Sequence, residues 1–314
     1  MIQNDLAFIF PGQGSQTEGM LSDVKDHPVV AATLAEANEA LGFDLSTIIL
    51  EGSKEELSKT VITQPAILTV SIALWRLWCE STEVRPQFLA GHSLGEYSAM
   101  VAAGVLSFKD AVQLVSKRAS YMQEAVQPGE GAMAAILGME DVAVVALCEE
   151  AANGDVLSAV NFNSPGQVVI AGTAAAVERA SVLAKEKGAR KAMPLPVSVP
   201  SHCMLMKPAA DRLAVDMAAL TFNAPSIAVL HNVDVQSHTD AQTIKTCLIE
   251  QLYQPVRWTE TIEAMAKAGV TRLVECGPGK VLTGLNKRID KGLTSYNIDS
   301  EATLNEVVEN FASN

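Results

Sequence analysis

Several signals are missing from this sequence, and each absence removes a class of function. The five cysteines, Cys79, Cys148, Cys203, Cys247 and Cys276, form no C-x-x-C pair, so neither a disulfide framework nor a zinc site is expected. A reducing cytoplasm is the natural setting for such cysteine usage. The N-terminus has no basic stretch leading into an apolar core and a cleavage site, so no export signal is expected. Basic residues are in deficit: 23 Lys and Arg against 36 Asp and Glu give a formal net charge of −13. That balance argues against nucleic-acid and membrane-surface partners, both of which attract a basic face. The most apolar run, PAILTVSIALWRLW at 65–78, is interrupted by Thr69, Ser71 and Arg76 and is too short to span a bilayer, so it reads as a buried helix. No internal repeat or low-complexity segment is present. The phosphate-cradling pattern G-x-x-x-x-G-K-[ST] is absent, and Gly12, Gly14 and Thr17 fall short of a dinucleotide fingerprint, which needs a third glycine or alanine.

What is present is an ordinary globular balance, 48% hydrophobic and 19% charged over 314 residues, enough for one large domain or two unequal subdomains. Its organising stretch is FLAGHSLGEYSAMVAAG at 88–104, where a short apolar strand, a glycine-flanked serine and a small-residue helix follow one another. Gly91-His92-Ser93-Leu94-Gly95 fits G-x-S-x-G, the strand-to-helix elbow that leaves a serine hydroxyl exposed above a sheet. A Cβ at either glycine would crowd the backbone of so tight a turn. A serine there sits at a helix N-terminus, where free N–H groups favour an oxyanion. Ser93 and Glu96 also fit S-x-x-E, a capping box, in which case the serine only ties down the helix.

In chain order, residues 6–10 read as a strand running into PGQGSQ at 11–16, a glycine turn open both to a structural role and to ligand binding. Helical patterns cover 28–41 and 64–80. After the elbow, 109–125 carries Val112, Val115, Ala119 and Met122 on one stripe, with Arg118 at its border. Arg118 is then partly buried and in want of an anion, unless it forms a structural salt bridge or snorkels to solvent. From 129 the order becomes β-α-β-β-α-β: strand 131–138, helix 140–153, strands 157–161 and 167–171, helix 174–187, strand 190–195. That order matches a ferredoxin-like unit inserted into the larger fold, so the expected division is a catalytic subdomain of 1–128 and 199–314 around a small subdomain of 129–198. The remaining alternation of strands and helices implies an α/β core, a mostly parallel sheet covered by helices on both faces, with its site at the strands' C-terminal ends.

Five histidines limit the search for a general base. His27 and His238 lie in polar stretches, and His92 abuts the serine and should point elsewhere. His202, expected at the head of a helix over 202–220 whose N-terminus would keep it neutral, and His231, ending the strand IAVLH, remain nearly equal candidates. A serine esterase would draw on His231 or His238, the histidines late in the chain, but no HGGG-type oxyanion loop is present. The run KEKGARK at 185–191 is a solvated basic face or a local steering patch in an acidic chain.

Taken together, FPGQGSQ (10–16), TQPA (63–66), GHSLGEYSA (91–99), KRASYMQ (117–123), NSPGQVVIAG (163–172), LPVSVPSHC (195–203), QLYQPVRW (251–258) and ECGPGKVLTGL (275–285) resemble the malonyl-CoA:acyl carrier protein transacylases of bacterial type II fatty acid synthesis, in order and nearly end to end. The resemblance implies Ser93 as nucleophile, His202 as its base, and the backbone carbonyl of Gln251 in place of a triad carboxylate. It implies Gln13 and Leu94 as oxyanion-hole N–H donors and Arg118 as the partner of a malonyl carboxylate. It also implies a hydrolase-like core with a ferredoxin-like insert, malonyl-CoA and phosphopantetheinylated acyl carrier protein as substrates, no metal or redox cofactor, and a monomer as the working form. One position departs from many malonyl-selective modular relatives, which carry a bulky aromatic where this chain has Ser201. Malonyl remains the expected acyl group.

Overall fold

Five consecutive apolar residues, 6–10, are wholly shielded from solvent in the computed structural model of the chain, which describes residues 2–197 and 199–312. They end the strand Ile2–Phe10 (β1), and their alternation divides the core. Leu6, Phe8 and Phe10 pack on one face and Ala7 and Ile9 on the other, as the two-residue period of a strand requires. A strand apolar on both faces belongs in the middle of a parallel sheet covered on both sides. The first segment continues with α1 (Pro28–Leu41), α2 (Leu45–Glu51), α3 (Lys54–Leu57), α4 (Thr60–Ser81), β2 (Arg85–Gly91), α5 (Leu94–Ala102) and α6 (Phe108–Glu124). Next come β3 (Gly131–Leu137), α7 (Asp141–Ala152), β4 (Leu157–Ser164), β5 (Gln167–Thr173), α8 (Ala174–Glu186) and β6 (Lys191–Pro194). The last segment holds α9 (Lys207–Ala218), β7 (Ala228–Leu230), α10 (Ala241–Glu250), α11 (Trp258–Lys267), β8 (Arg272–Cys276), α12 (Val281–Ile289), β9 (Thr294–Ile298) and α13 (Glu301–Ala312).

Two sheets result. One is parallel, in the order β7, β2, β1, β8, β9, and the other is antiparallel, in the order β4, β5, β3, β6. The expected α/β core with a β-α-β-β-α-β segment is therefore observed, with element ends shifted by a few residues. The expected subdomain boundary at 198, and Ser198 of the LPVSVPSHC stretch, lie outside the described residues.

Two expectations need correction. The apolar run at 65–78 belongs to the 22-residue α4, which is long and apolar enough to cross a membrane, so length does not rule that out. Burial assigns it to the core instead: 78% of its most apolar window is enclosed, and Trp75 and Trp78 pack on Phe8 at ring distances of 5.2 and 5.1 Å. Each such side chain contributes about 1.5–3 kcal/mol by leaving water. The helix expected over 202–220 begins only at Lys207, after a single 3-10 turn at Met204–Met206. Pro208 explains the late start, because a residue without an N–H is tolerated in the first helical turn and not further in. His202 therefore lies before the helix, in a left-handed conformation with φ of 66°.

The sheets are tied together where they meet. Backbone bonds join Phe162 N to Val256 O at 3.0 Å and Val256 N to Val160 O at 2.8 Å, so β4 is anchored to the chain leading into α11. A cleft of about 230 Å³ remains between the antiparallel sheet and the C-terminal ends of β1 and β2.

Candidate active site

The elbow after β2 is dictated by backbone crowding. A Cβ on Gly91 would stand 1.9 Å from the Gly95 carbonyl, and one on Gly95 would stand 2.0 Å from Phe10 O, so neither position admits a side chain. Between them Ser93 holds φ 53° and ψ −108°, a sparsely populated conformation that costs about 1–3 kcal/mol and persists only where its surroundings enforce it. Asn232 does the enforcing, accepting from Ser93 N at 2.8 Å and donating from Nδ2 to Gly91 O at 2.7 Å.

The capping-box reading fails on this geometry. Ser93 makes no side-chain cap bond, and Glu96, wholly buried, turns instead to His231 Nδ1 at 2.7 Å and Gln251 Nε2 at 2.7 Å. Ser93 Oγ faces His202 Nε2 at 2.8 Å. The other ring nitrogen of His202, Nδ1, donates to Gln251 O at 2.6 Å, which leaves the Nε2 lone pair for the serine proton. The imidazole is held neutral, its pKa lowered to about 3, first by burial and second by the nearby Arg118 guanidinium. The cause differs from the helix N-terminus expected from the sequence, although the direction is the same.

Of the two candidate histidines, then, only His202 reaches the serine. His231 is occupied by Glu96, and His238 bonds Asp234 Oδ2 at 2.6 Å. His92 points away from the serine, as expected, and bonds Asn163 Oδ1 at 2.7 Å across to the antiparallel sheet.

Arg118 is more deeply buried than a border position suggested, at 1% exposure. Nη1 donates to Gln64 Oε1 at 2.8 Å, and Nη2 donates to Gln251 Oε1 at 2.9 Å and to Ser93 Oγ at 3.3 Å. Its ring contact with Tyr97 lies at 5.4 Å, and its Nε has no partner. Among the described residues no carboxylate forms an ion pair with it. The structural-salt-bridge reading is thus excluded, and a buried cation is left facing the cleft. Gln13, in the turn after β1, and Leu94, the first residue of α5, also line the cleft. The Leu94 N–H is one of the four a helix leaves without an internal acceptor.

Gln64, Glu96, Asn232 and the Gln251 side chain complete the arrangement, and of these sequence reasoning gave a part only to Glu96, as the capping-box partner of Ser93 that it is not. Gln64 lies in the TQPA motif, so only that motif's presence signalled it. Asn232 and Gln251 are single polar residues brought together from separate elements, with no local pattern to mark their side chains, and the pattern that marked Glu96 pointed to the wrong partner.

A serine on an elbow, a neutral histidine bonded to it and a buried cation beside both define an acyl-transfer site on an α/β fold. A family model described as "Acyl transferase domain" matches residues 7–308. Malonyl CoA-acyl carrier protein transacylase of Escherichia coli strain K12 is 56% identical over 304 residues, covering 96% of this chain and 98% of the relative. Among solved structures, an acyl carrier protein S-malonyltransferase from Vibrio cholerae aligns at a TM-score of 0.95 with 57% identity, covering 96% of this chain and 99% of that one. A malonyl-transacylase solved in complex with its type II PKS acyl-carrier protein aligns at 0.96 with 52% identity, covering 98% and 99%. The chain belongs to the acyl transferase domain family, and within it to the malonyl CoA-acyl carrier protein transacylases.

Proposed function

We propose that this chain moves a malonyl group from malonyl-CoA to the phosphopantetheine thiol of acyl carrier protein, in fatty acid biosynthesis, through an ester on Ser93. The observation that carries the reading is Arg118: a buried guanidinium 3.3 Å from the Ser93 hydroxyl, in no ion pair among the described residues. A cation so placed selects acyl groups that end in a carboxylate, because burying it unpaired is costly and bidentate pairing relieves that cost. His202 takes the Ser93 proton as Oγ attacks the thioester carbonyl. The N–H groups of Gln13 and Leu94 receive the oxyanion, and coenzyme A leaves as the thiol. The carrier thiol then gives its proton to His202, attacks the ester, and releases Ser93.

Arg118 also tunes the base. Its charge is the second cause of the depressed His202 pKa, so pairing with a malonyl carboxylate offsets that charge and raises the basicity of the imidazole once the correct substrate is bound. The Gln251 carbonyl keeps the imidazole in the tautomer this requires. No metal or redox cofactor enters these steps.

At the level of architecture, we read 1–128 and 199–314 as a hydrolase-like catalytic subdomain and 129–198 as a ferredoxin-like insert. The strand order of the antiparallel sheet and its two covering helices support this. We take the monomer as the working form and the cytoplasm as its location.

The test is intact-protein mass spectrometry after mixing with malonyl-CoA and removing the excess. A malonyl adduct should map to Ser93, persist in buffer, and disappear on addition of phosphopantetheinylated carrier protein or coenzyme A. An adduct lost equally fast in plain buffer would make the protein a thioesterase.

A further inference from the structure

Outside the lining of the cleft, three metal-ligating side chains converge from a loop and a helix. Asp234 and His238 come from the loop after β7, and Cys247 comes from α10; one ligand atom of each lies within 4.8 Å of the others. Asp234 Oδ2 is 2.6 Å from His238 Nε2 and 3.9 Å from Cys247 Sγ. A second imidazole adjoins them, the His231 ring standing 5.5 Å from that of His238.

His231 is the informative member. It is wholly buried; its Nδ1 is bonded to the Glu96 carboxylate, and its Nε2 has no partner. A neutral imidazole whose Nδ1–H is fixed by a carboxylate presents its Nε2 lone pair outward, which is how metal-bound histidines are oriented from behind.

We propose that Asp234, His238 and Cys247, with the partnerless His231 Nε2 adjoining them, form a three-donor binding site for a divalent transition-metal ion of the zinc type. The donor set selects the ion: a thiolate with an imidazole and a carboxylate suits zinc or cobalt, and the sulfur disfavours magnesium and calcium. Bonds of about 2.0–2.3 Å at tetrahedral angles separate O from N by about 3.3 Å and O from S by about 3.6 Å, so the Asp234–His238 and Asp234–Cys247 spacings need shifts below about 1 Å. An entry path exists, because the Asp234 and His238 side chains are 36% and 26% exposed. On binding, the Cys247 thiol exchanges its proton for the sulfur–metal bond. The His238 hydrogen moves from Nε2 to Nδ1, so one proton leaves per ion. Without a cation, burial and the Asp234 charge push the thiol up to about 12. The cysteine spacing hides such a site because only one of its ligands is a cysteine.

The experiment is a cobalt(II) titration of chelator-treated protein, followed by zinc displacement. A thiolate-to-cobalt charge-transfer band should saturate at one equivalent and collapse when zinc is added. Cys247→Ser should abolish the band, and His238→Gln should weaken cobalt binding at least about tenfold. Cys148→Ser, which removes a buried cysteine from α7 outside the cluster, should leave both unchanged. Zinc should raise the melting temperature of the wild type and not that of Cys247→Ser, whose metal-free melt reports whether it is folded. No band at one equivalent, a band that survives Cys247→Ser, or unchanged affinity in His238→Gln would each overturn the proposal.

Discussion

The two sheets solve different problems with the same two-residue alternation. In the parallel sheet β1 is apolar on both faces and packed on both, so its ends are fixed and its terminal turn abuts the serine elbow. In the antiparallel sheet Ala134, Ile136, Val168 and Ile170 face α7 and α8, while Met133, Ala135, Val169 and Ala171 form the opposite face, of which Met133 and Val169 line the cleft. The first sheet sets the positions of the reacting atoms. The second supplies a wall whose covered face is remote from the chemistry. The contrast implies that changes at the parallel sheet's strand ends alter turnover, and changes on the helix side of the antiparallel sheet alter only stability.

The largest effect tests the first half of that contrast. Ser93→Ala should lower malonyl transfer by about four orders of magnitude or more, with no adduct by mass spectrometry. Its melting temperature should stay near that of the wild type, because the hydroxyl caps nothing. Retained transfer in this variant would remove Ser93 from the mechanism. Next is Arg118→Ala, expected to cost malonyl transfer about 2–5 kcal/mol in transition-state binding and acetyl transfer much less. Equal losses measured with malonyl-CoA and acetyl-CoA would make the arginine structural.

The pH dependence follows from His202. Its pKa is near 3 in the folded chain against an ordinary value of 6.5, so between those values the unfolded chain binds the extra proton. Stability from this group is complete above about 6.5 and declines as pH falls toward 3. The His202 ring resonance should therefore show no titration near 6.5 in the free protein, and a midpoint there would contradict the burial argument. Asn232→Ala leaves Ser93 N–H and Gly91 C=O unpaired, which should cost about 1–3 kcal/mol in denaturant unfolding and slow transfer. Wild-type values in both would mean that Asn232 does not hold the elbow. Smallest of all, Ile170→Val on the helix side should cost about 0.5–1.5 kcal/mol with unchanged kcat and KM. A changed KM would break the distinction between wall and covered face.

By itself the sequence determined the features that depend on near neighbours along the chain. The elbow was legible because glycines two residues either side of Ser93 answer a crowding problem within five residues. The β-α-β-β-α-β order of the antiparallel sheet and its helices was legible because six elements follow one another with their periods intact. The length of α4 was misjudged, since polar interruptions within a helix say little about where it ends once tertiary burial compensates them. Its tertiary surroundings, and not its length, made it a core helix. The choice between His202 and His231 needed either the family resemblance or the fold, because both are single histidines at element ends and only three-dimensional placement puts one 2.8 Å from the serine. The neutrality of His202 likewise came from burial and Arg118, which are properties of packing. Gln64, Glu96, Asn232 and Gln251 lie as far apart as residues 64 and 251, and each is polar in a way that solvent would equally satisfy. Only the folded chain, by removing water around them, obliges them to bond one another.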